Sequence, residues 1–447
     1  MIKRAFMNMI VVLVLLVLVG GTFLIISRHR QKAQYDIVEE QGTQPRIATP
    51  RASVVPLFKL ATPIGWKAGE MPIAAAGLKV QPFATGLDHP RWLLALPNGD
   101  VLVAETNAPP KPDDNKGFAG WVERKLQGEA GATGKSANRI TLLRDTNGDG
   151  IADQRTVLLS GLNSPFGMAL VGDQLYVADT DALLRFPFKV GETKITAKSQ
   201  KVLDLPAGRI NHHWTKNVVA APDGSKLYVT IGSNSNVGER GQGVEQGRAA
   251  IWEVDPKTGD HRIYAYGLRN PNGMGWEPTT HTLWTVVNER DALGSDLVPD
   301  YLTNVQFGGF YGWPWFYWGT YPDSRPRDPA PELIEETSIR PDYAVGPHTA
   351  SLGLAFATGA RLGPAFAEGA FIGQHGSWNR DPLSGYKVIF VKFVMGQPVG
   401  KPVDVLAGFL DAKGRAHGRP VGVVVAKDGG LLVADDVGNS IWRVGLR

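Results

Sequence analysis

Short apolar runs separated by glycine-rich turns alternate along most of the chain. The repeating unit is a Gly-Leu or similar turn, an apolar run, a turn of the Asp-Gly or Asn-Gly type, and a second apolar run that ends in an acidic or polar residue. Two apolar runs joined by such a short turn predict a β-hairpin. Copies of this unit begin at Gly86, Gly161, Ile210, Gly267, His348 and Gly418.

The spacing of these copies indicates how the hairpins assemble. They follow one another at intervals of roughly 50 to 80 residues, which exceeds the about 40 to 45 residues of a minimal propeller blade and leaves room for inserted loops. Intervening segments such as residues 249–267 predict further strands. We therefore predict an all-β fold, a six-bladed β-propeller with four strands in each blade. A pair of β-sandwiches without repeats is the alternative.

The N-terminal end has a different pattern. Lys3 and Arg4 precede a run without charge over residues 5–26, and at about 1.5 Å per residue such a run is long enough to cross a bilayer as a helix. Because no clear cleavage site follows it, we predict that residues 1–30 form an uncleaved transmembrane anchor, with a cleaved signal peptide as the alternative. Basic residues on both sides of the run leave the orientation open.

Residues 31–72 are polar and dotted with proline, which is typical of a linker. A strand packed on the body is the alternative for the later part of this segment. The predicted organisation is therefore an anchor over residues 1–30, a linker over residues 31–72 and a propeller over residues 73–447.

Composition narrows the classes of function. The net charge is only +4 over 447 residues and the body has no block of Lys and Arg, so we predict no nucleic-acid partner. The chain has no cysteine, which excludes disulfides, cysteine-bound zinc, a thiol nucleophile and haem attached through a Cys-x-x-Cys-His motif.

The turns that open the repeated units are rich in cationic, imidazole and amide groups. They carry Arg91, Asn163, His212, His213, Arg269, His348 and Arg419. In a propeller the innermost strand of each blade begins near one face, so these turns are expected around the central channel. We therefore expect Arg269, in the string GLRNPNG, to point into a shared central pocket together with other donors.

One further turn has the character of a calcium loop. Residues 145–153, DTNGDGIAD, resemble the first nine positions of an EF-hand, whose side-chain oxygens surround Ca²⁺. The candidate ligands are Asp145, Asn147, Asp149 and Asp153. Thr156 stands at the twelfth position, so a complete EF-hand is excluded. A polar hairpin turn without metal is the alternative.

Four strings lie in or beside the channel turns: HHW at residues 212–214, GLRNPNG at 267–273, GGFYGWP at 308–314 and GRPVGVVV at 418–425. Together they resemble the glucose/sorbosone dehydrogenases that use pyrroloquinoline quinone (PQQ), and among these the sorbosone and aldose sugar dehydrogenase branch. The likeness runs from about Gly77 to Arg447. It implies a six-bladed propeller that oxidises sugar hydroxyl or aldehyde groups and holds PQQ and Ca²⁺ in its central pocket.

The resemblance also implies roles for single residues. His213 matches the base that takes the hydroxyl proton, with His212 as the alternative because the two are adjacent. Arg269 and Asn270 match a pair that contacts cofactor and substrate, and Arg269 would stabilise the reduced cofactor. Asn272 stands two residues further on, where the glucose enzymes have a Gln.

On the other side of the expected pocket, Arg380 matches a basic residue over the PQQ ring. Arg419 matches one of two closing arginines that bind the PQQ carboxylates. Two positions depart from the family. Ser233 stands near where the family has the acidic partner of the base, and Val421 stands where it has the second arginine.

The resemblance implies a Ca²⁺ site beside the cofactor. Tyr311, in GGFYGWP, matches a residue that offers its backbone carbonyl. The acidic ligand is expected upstream, in the string NERDALGSDLVPDYL. We predict Asp300 as this ligand, with Asp296 and Glu289 as alternatives.

The function implied is that of a membrane-anchored, PQQ-dependent sugar dehydrogenase with its propeller on the periplasmic or extracytoplasmic side. A sugar or polyol would be oxidised by hydride transfer to PQQ with assistance from Ca²⁺. Electrons would then pass to a separate acceptor, a quinone or a cytochrome. Two alternatives are a metal-dependent sugar lactonase-type hydrolase and a non-catalytic binding propeller. The Arg and His of the channel turns argue against the hydrolase, and the departures at Ser233 and Val421 keep the binding propeller open.

Overall fold

The computed structural model describes residues 31–51, 57–109 and 135–447. Across these ranges no helix is long and apolar enough to cross a membrane. The anchor predicted for residues 1–30 lies outside them.

The described chain forms a ring of six blades, each an antiparallel four-stranded meander. Three strands precede the first complete blade: β1 (Gln41–Gly42), β2 (Ile73–Ala74) and β3 (Leu78–Ala84). Blade 1 has β4 (Pro90–Ala95), β5 (Val101–Glu105), β6 (Arg139–Arg144) and β7 (Gln154–Ser160). Blade 2 has β8 (Met168–Val171), β9 (Gln174–Ala178), β10 (Ala182–Pro187) and β11 (Gln200–Asp204). Blade 3 has β12 (Val218–Ala220), β13 (Leu227–Ile231), β14 (Ala250–Val254) and β15 (His261–Tyr266).

The second half of the ring follows the same order. Blade 4 has β16 (Pro271–Trp276), β17 (Leu283–Val287), β18 (Pro299–Asn304) and β21 (Tyr343–Pro347), with the hairpin β19 (Phe316–Tyr317) and β20 (Tyr321–Pro322) inserted. Blade 5 has β22 (Ser351–Phe356), β23 (Gly369–Gln374), β24 (Lys387–Val394) and β25 (Gln397–Ala407). Blade 6 has β26 (Pro420–Val425), β27 (Leu431–Asp435) and β28 (Ser440–Leu446). Short 3-10 turns cover Gln242–Glu245, Ile334–Thr337 and Pro364–Phe366.

The last blade takes its fourth strand from the beginning of the body. Strand β3 pairs with β28, with Val80 opposite Val444 and Pro82 opposite Trp442. The two ends of the propeller are thereby joined in one sheet, which closes the ring. The six-bladed propeller predicted from the repeats is confirmed.

The second strand of a blade is its most deeply buried one. Every residue of β5, β13, β17 and β27 is buried. Neighbouring blades stack face to face, about 10 Å apart, so both faces of these strands are covered by apolar side chains. This packing explains why VLVAE, LYVTI, LWTVV and LLVAD are almost continuously apolar and do not alternate.

The first strands of the blades lie next to one another around the central axis. They approach so closely that some positions have no room for a side chain. A β-carbon built on Gly353 in β22 would lie 2.2 Å from the carbonyl oxygen of Val421 in β26, and one on Gly373 would lie 2.3 Å from the same oxygen. Glycine at these positions is therefore required by the narrowing of the ring.

The segment before β3 differs from the predicted free linker. Residues 31–51 and 57–66, which we call the strap, pack on the body. Strand β1 extends blade 4 beside β21, and β2, just after the strap, extends blade 5 beside β25. Glu40 is fully buried although its side chain is ionisable, and burial raises its pKa to about 8. The polar composition was misleading because these polar groups find charged partners on the body.

Candidate active site

One face of the ring, which we call the channel mouth, carries two kinds of loop. Loops of the first kind lead into the first strand of each blade, and loops of the second kind join the second strand to the third. The residues predicted to surround the channel lie in the first kind. The second kind adds acidic and amide groups, and the two sets meet in two clusters of interacting side chains.

The first cluster surrounds Asp291, which lies in the loop between β17 and β18. Its Oδ1 accepts a hydrogen bond from Asn379 Nδ2 at 2.7 Å, and its Oδ2 is paired with Arg269 Nη2 at 3.2 Å. His348 Nδ1 lies 3.4 Å from Oδ1. Burial alone would raise the pKa of Asp291, but His348 and Arg269 outweigh it and lower the pKa to about 2. Asp291 is therefore a fixed negative charge between two cationic groups.

His348 is held at both ring nitrogens. Nε2 donates to the carbonyl of Gly294 at 3.0 Å, and Nδ1 faces Asp291. Burial alone would lower the pKa of His348, but the Asp291 carboxylate and the Gly294 carbonyl raise it overall. A ring with acceptors on both sides is best satisfied as the imidazolium, which donates from both nitrogens.

His213 precedes β12 and is half-buried. Its Nδ1 lies 2.8 Å from the carbonyl oxygen of Ser233 and 3.1 Å from the Ser233 hydroxyl. Because a carbonyl only accepts, Nδ1 carries the hydrogen and Nε2 keeps its lone pair. Burial lowers the pKa of His213 well below its usual value, and the charge of Arg269 lowers it further. The ring is therefore neutral at pH 7 and ready to accept a proton at Nε2.

The backbone around His213 is tightly packed. A β-carbon built on Gly232 would lie 2.4 Å from His213 Cβ and 2.5 Å from Asn270 Oδ1. Lys216 is fully buried, and its Nζ donates to the carbonyls of His213 and Trp214 at 3.4 and 3.2 Å. These contacts fix the loop that carries the base.

Arg269 is 5% exposed and its N–H groups meet protein acceptors. Nε donates to the Asn236 carbonyl at 3.0 Å, and Nη1 donates to the Glu289 carbonyl at 2.7 Å. Nη2 donates to Asn236 Oδ1 at 2.9 Å as well as to Asp291. Arg269 is thus aimed at the loop wall of the pocket, where it contributes charge and holds Asp291.

The two asparagines after Arg269 are placed differently. Asn270 Oδ1 packs over Gly232 beside His213, and Asn272 Nδ2 donates to Thr215 Oγ1 at 3.1 Å, deeper in β16. Among the described residues neither Asn270 Oδ1 nor Asn272 Oδ1 has a hydrogen-bond partner, although both atoms are buried.

The second cluster surrounds Asp436, just after β27. Its Oδ2 accepts from Arg91 Nη1 at 2.8 Å and from His375 Nε2 at 2.9 Å, and His89 Nε2 lies 3.5 Å away. Burial alone would raise the pKa of Asp436, but its two histidine neighbours and Arg91 lower it. Burial lowers the pKa of His375 to about 4.

Arg419 lies beside this cluster, with its guanidinium 5.3 Å from the centre of the Tyr386 ring. The Nε atoms of Arg91 and Arg419 are buried and have no hydrogen-bond partner within the part of the chain that the structure describes. A buried N–H without a partner costs free energy. A carboxylate bound between these two guanidinium groups would remove that cost.

Arg380 lies further from the axis. It is 2% exposed, with Nε donating to the Ser295 carbonyl at 3.1 Å and Nη2 to Glu40 of the strap at 3.2 Å. Nη1 donates to the Pro382 carbonyl at 3.1 Å. The structure therefore gives Arg380 a role in holding the strap, and its contact with a cofactor stays a prediction.

The predicted calcium ligands beside the cofactor also have other partners. Asp300 accepts from the Glu289 N–H at 2.8 Å and from Ala350 N–H at 2.8 Å, and burial raises its pKa to about 6. Asp296 is paired with Arg51 of the strap. The Tyr311 hydroxyl donates to the Asn304 carbonyl at 2.5 Å within the core, and calcium binding by the backbone carbonyl of Tyr311 stays a prediction. In residues 31–51, 57–109 and 135–447 no three His, Cys, Asp or Glu side chains are grouped as a metal site.

Residues 145–153 form a turn on the face opposite the channel mouth. Asp145 accepts from the N–H groups of Gly148 and Gly150 at 2.7 and 2.8 Å, and Asp153 accepts from Thr146 Oγ1 at 2.7 Å. Asn147 Oδ1 accepts from the Asp149 N–H at 3.0 Å. These oxygens satisfy the turn itself, and calcium binding by Asp145, Asn147, Asp149 and Asp153 stays a prediction.

Sequence reasoning missed five residues of the two clusters: Asp291, Asn379, His375, Asp436 and His89. The first four follow the second strand of a blade, and His89 directly precedes the first strand of blade 1. The signal for the first four was available, because the second apolar run of the repeated unit ends in acidic or polar residues.

Comparison with known proteins places the chain in a family. The TrAA12-like family model matches residues 133–303 and 328–446. The PQQ-dependent pyranose dehydrogenase of Coprinopsis cinerea is 22% identical over 430 residues, which is 83% of this chain but 54% of that protein. This chain therefore spans about half the length of that relative.

Solved structures show the same fold. The holo form of the PQQ domain of the Coprinopsis cinerea pyranose dehydrogenase matches with a TM-score of 0.65 and 20% identity, over 87% of this chain and 100% of that domain. The calcium structure of a family AA12 protein of Trichoderma reesei matches with a TM-score of 0.67 and 19% identity, over 84% of this chain and 97% of that one.

Proposed function

Because the chain belongs to the TrAA12-like family, we propose that it is a PQQ-dependent dehydrogenase that oxidises a sugar or polyol. The observation that carries the proposal is the channel mouth. Within the described residues, it combines a neutral histidine whose Nε2 keeps its lone pair with two buried arginines whose Nε–H groups have no acceptor.

The residues present fit PQQ. This cofactor has three carboxylates and an ortho-quinone, and arginine is the side chain that best matches a carboxylate. Arg91 and Arg419 would hold the carboxylates, and Asn270 and Asn272 offer buried amides beside the base. When bound, PQQ supplies a quinone that accepts a hydride.

The loss of an arginine at Val421 is offset by Arg91. Val421 is fully buried in β26, so this position cannot present a charge to the pocket. A β-carbon built on the next residue, Gly422, would lie 2.8 Å from the carbonyl oxygen of Arg91, so the two backbones are in contact. The Arg91 side chain pairs with Asp436 at the channel mouth, beside the position where the family has its second arginine.

The chain's own residues divide the remaining work. His213 takes the hydroxyl proton at Nε2, and the Ser233 carbonyl fixes its tautomer. The Asp291 charge raises the pKa of His213 against the larger effects of burial and Arg269. Asp291 thus supplies from another loop the negative charge that Ser233 cannot supply.

Calcium is the second cofactor of the proposal, since a similar structure is a calcium form. Within the described residues, Asp300 and Asp296 are already saturated by protein donors and do not form a ready site.

We further propose that residues 1–30 anchor the protein in a membrane, with the propeller on the periplasmic or extracytoplasmic side. Electrons would leave to a separate quinone or cytochrome. Within the sugar class, sorbosone-like aldoses are the proposed substrates, on the resemblance of the channel strings.

Three assays on the purified protein separate this function from its alternatives. We expect sugar-dependent reduction of a dye acceptor only after PQQ is added. Lactone hydrolysis without PQQ would instead support a hydrolase, and neither activity, with sugar binding retained, would support a binding propeller. The variant Arg419→Met, which removes one carboxylate contact, should raise the PQQ concentration needed for half-maximal activity.

A further inference from the structure

The strap enters the propeller at the channel mouth. The N–H of Ser295 donates to the Gln31 carbonyl at 3.2 Å, and the N–H of Ala33 donates to the Asp381 carbonyl at 2.8 Å. Ser295 and Asp381 belong to the two loops that carry Asp291 and Asn379. The first described residues of the chain therefore lie at the rim of the candidate active site.

Buried charges hold the strap in this place. Glu40 pairs with Arg380 at 3.2 Å, and both side chains are at most 3% exposed. The Gln34 N–H donates to Asp296 at 3.0 Å, and Arg51 pairs with the same carboxylate. Breaking a buried pair leaves a charge without a partner, which is strongly unfavourable. The strap is therefore a fixed part of the mouth.

The apolar run of residues 5–26 ends shortly before this point. Only residues 27–30 separate the run of residues 5–26 from Gln31, which is 5% exposed. An extended chain covers at most about 3.6 Å per residue, so the five steps from Ile26 to Gln31 span at most about 18 Å. A bilayer that contains residues 5–26 cannot lie far from the channel mouth.

We propose that the channel-mouth face of the propeller lies against a lipid bilayer. The proposal rests on the anchor proposed above and states which face of the protein the anchor turns to the membrane.

The channel mouth exposes two side chains that suit a membrane interface. Ile64 of the strap is 40% exposed and Trp378, in the loop that contacts Lys59, is 39% exposed. Tryptophan and apolar side chains favour the membrane interface. The opposite face carries the acidic turn of residues 145–153, which anionic lipids repel. That face also exposes Ile151 and Met395, so the position of Gln31 at the mouth, and not the apolar surface, decides the orientation.

The absence of cysteine from the sequence makes a direct test simple. The full chain, reconstituted in phosphatidylcholine/phosphatidylglycerol vesicles, is labelled with one dye at Ile64→Cys on the channel mouth. The matched label is Lys257→Cys, on the turn between β14 and β15 at the opposite face. Energy transfer to an acceptor dye on the lipid headgroups should be several-fold more efficient from position 64.

Equal transfer from the two positions, or stronger transfer from position 257, would overturn the proposal. Failure of the full chain to float with the vesicles would also overturn it. Val38→Cys, also on the strap and 49% exposed, replaces the first label if Ile64→Cys does not fold. None of these readouts uses PQQ or turnover, so their result is independent of whether the sugar dehydrogenase function holds.

Discussion

At the scale of residues, the proposed sugar oxidation depends first on His213. Its Nε2 is the proposed proton acceptor, and a general base contributes about 10²- to 10⁴-fold to rate. We expect His213→Ala to lower kcat by about that factor while PQQ binding persists. His212→Ala, at the adjacent position, is the control and should stay close to wild type. Turnover that survives His213→Ala would refute the assignment of the base.

The packing around Gly232 gives a second prediction. An alanine β-carbon there would lie 2.4 Å from His213 Cβ, so the loop must shift. Displacement of a catalytic group by about 1 Å costs about 10²-fold in rate, and we expect a loss of that size in kcat for Gly232→Ala. Gly243→Ala, where a β-carbon meets no atom within 4 Å among the described residues, should leave kcat unchanged. Equal activity of the two variants would show that the fit around His213 is not critical.

The pH dependence follows from the direction of one pKa. Burial lowers the pKa of His213 well below 6.5, so its neutral form persists to lower pH than that of an ordinary histidine. We therefore expect the contribution of His213 to kcat/KM to be constant from neutral pH upwards. It should fall only on the acid side, where His213 becomes protonated. Asp291→Asn removes a charge that raises this pKa, and should move the acid limb to still lower pH. A limb that moves the other way would contradict the proposed coupling.

At the residue scale, the HHW string marked His213 as the base. The structure fixes the tautomer of its ring, and its catalytic role stays a prediction. Contacts between distant segments were invisible in the sequence, because Asp291 meets Asn379 and His348 only after three different loops converge. For the same reason the sequence could not predict the hydrogen bond between Arg380 and Glu40, 340 positions apart. It also could not predict the hydrogen bonds that Asp300 accepts from Thr349 and Ala350.

At the scale of elements, the strap offers a stability test. Burial raises the pKa of Glu40 to about 8, so at pH 7 its side chain accepts the hydrogen bond from Arg380 largely as a neutral acid. Glu40→Ala would leave that buried donor of Arg380 unpaired, which costs about 1 to 3 kcal/mol. We expect a clear fall in the denaturant midpoint for this variant. Its neighbour Glu39 pairs with Arg46 at the surface, both about half exposed, and Glu39→Ala should cost at most about 1 kcal/mol. Similar midpoints for the two variants would mean that the strap does not contribute to the fold.

The elements themselves were largely predictable. Paired apolar runs and Asp-Gly or Asn-Gly turns identified the first two strands of the blades, since these hairpins are local. The strap was not predictable, because its polar composition is typical of a linker and its short strand β1 gains its partner, β21, only through the tertiary fold. Position 421 illustrates the same limit: we propose that Arg91, distant in sequence and adjacent in space, takes the role of the arginine that this position lacks.

At the scale of the whole molecule, ring closure by β3 and β28 places the loops of all six blades around one axis. Their donors therefore gather at the channel mouth, where we propose that PQQ binds. The central claim is that PQQ binds there and is reduced by a sugar.

The most direct measurement is the absorbance spectrum of the purified protein during titration with PQQ in the presence of Ca²⁺, followed by sugar without an electron acceptor. The account predicts saturable binding, loss of quinone absorbance when sugar is added, and its return when a dye acceptor follows. Absence of saturable binding at micromolar PQQ, or bound PQQ that no sugar reduces, would contradict the proposed function and favour a non-catalytic binding propeller.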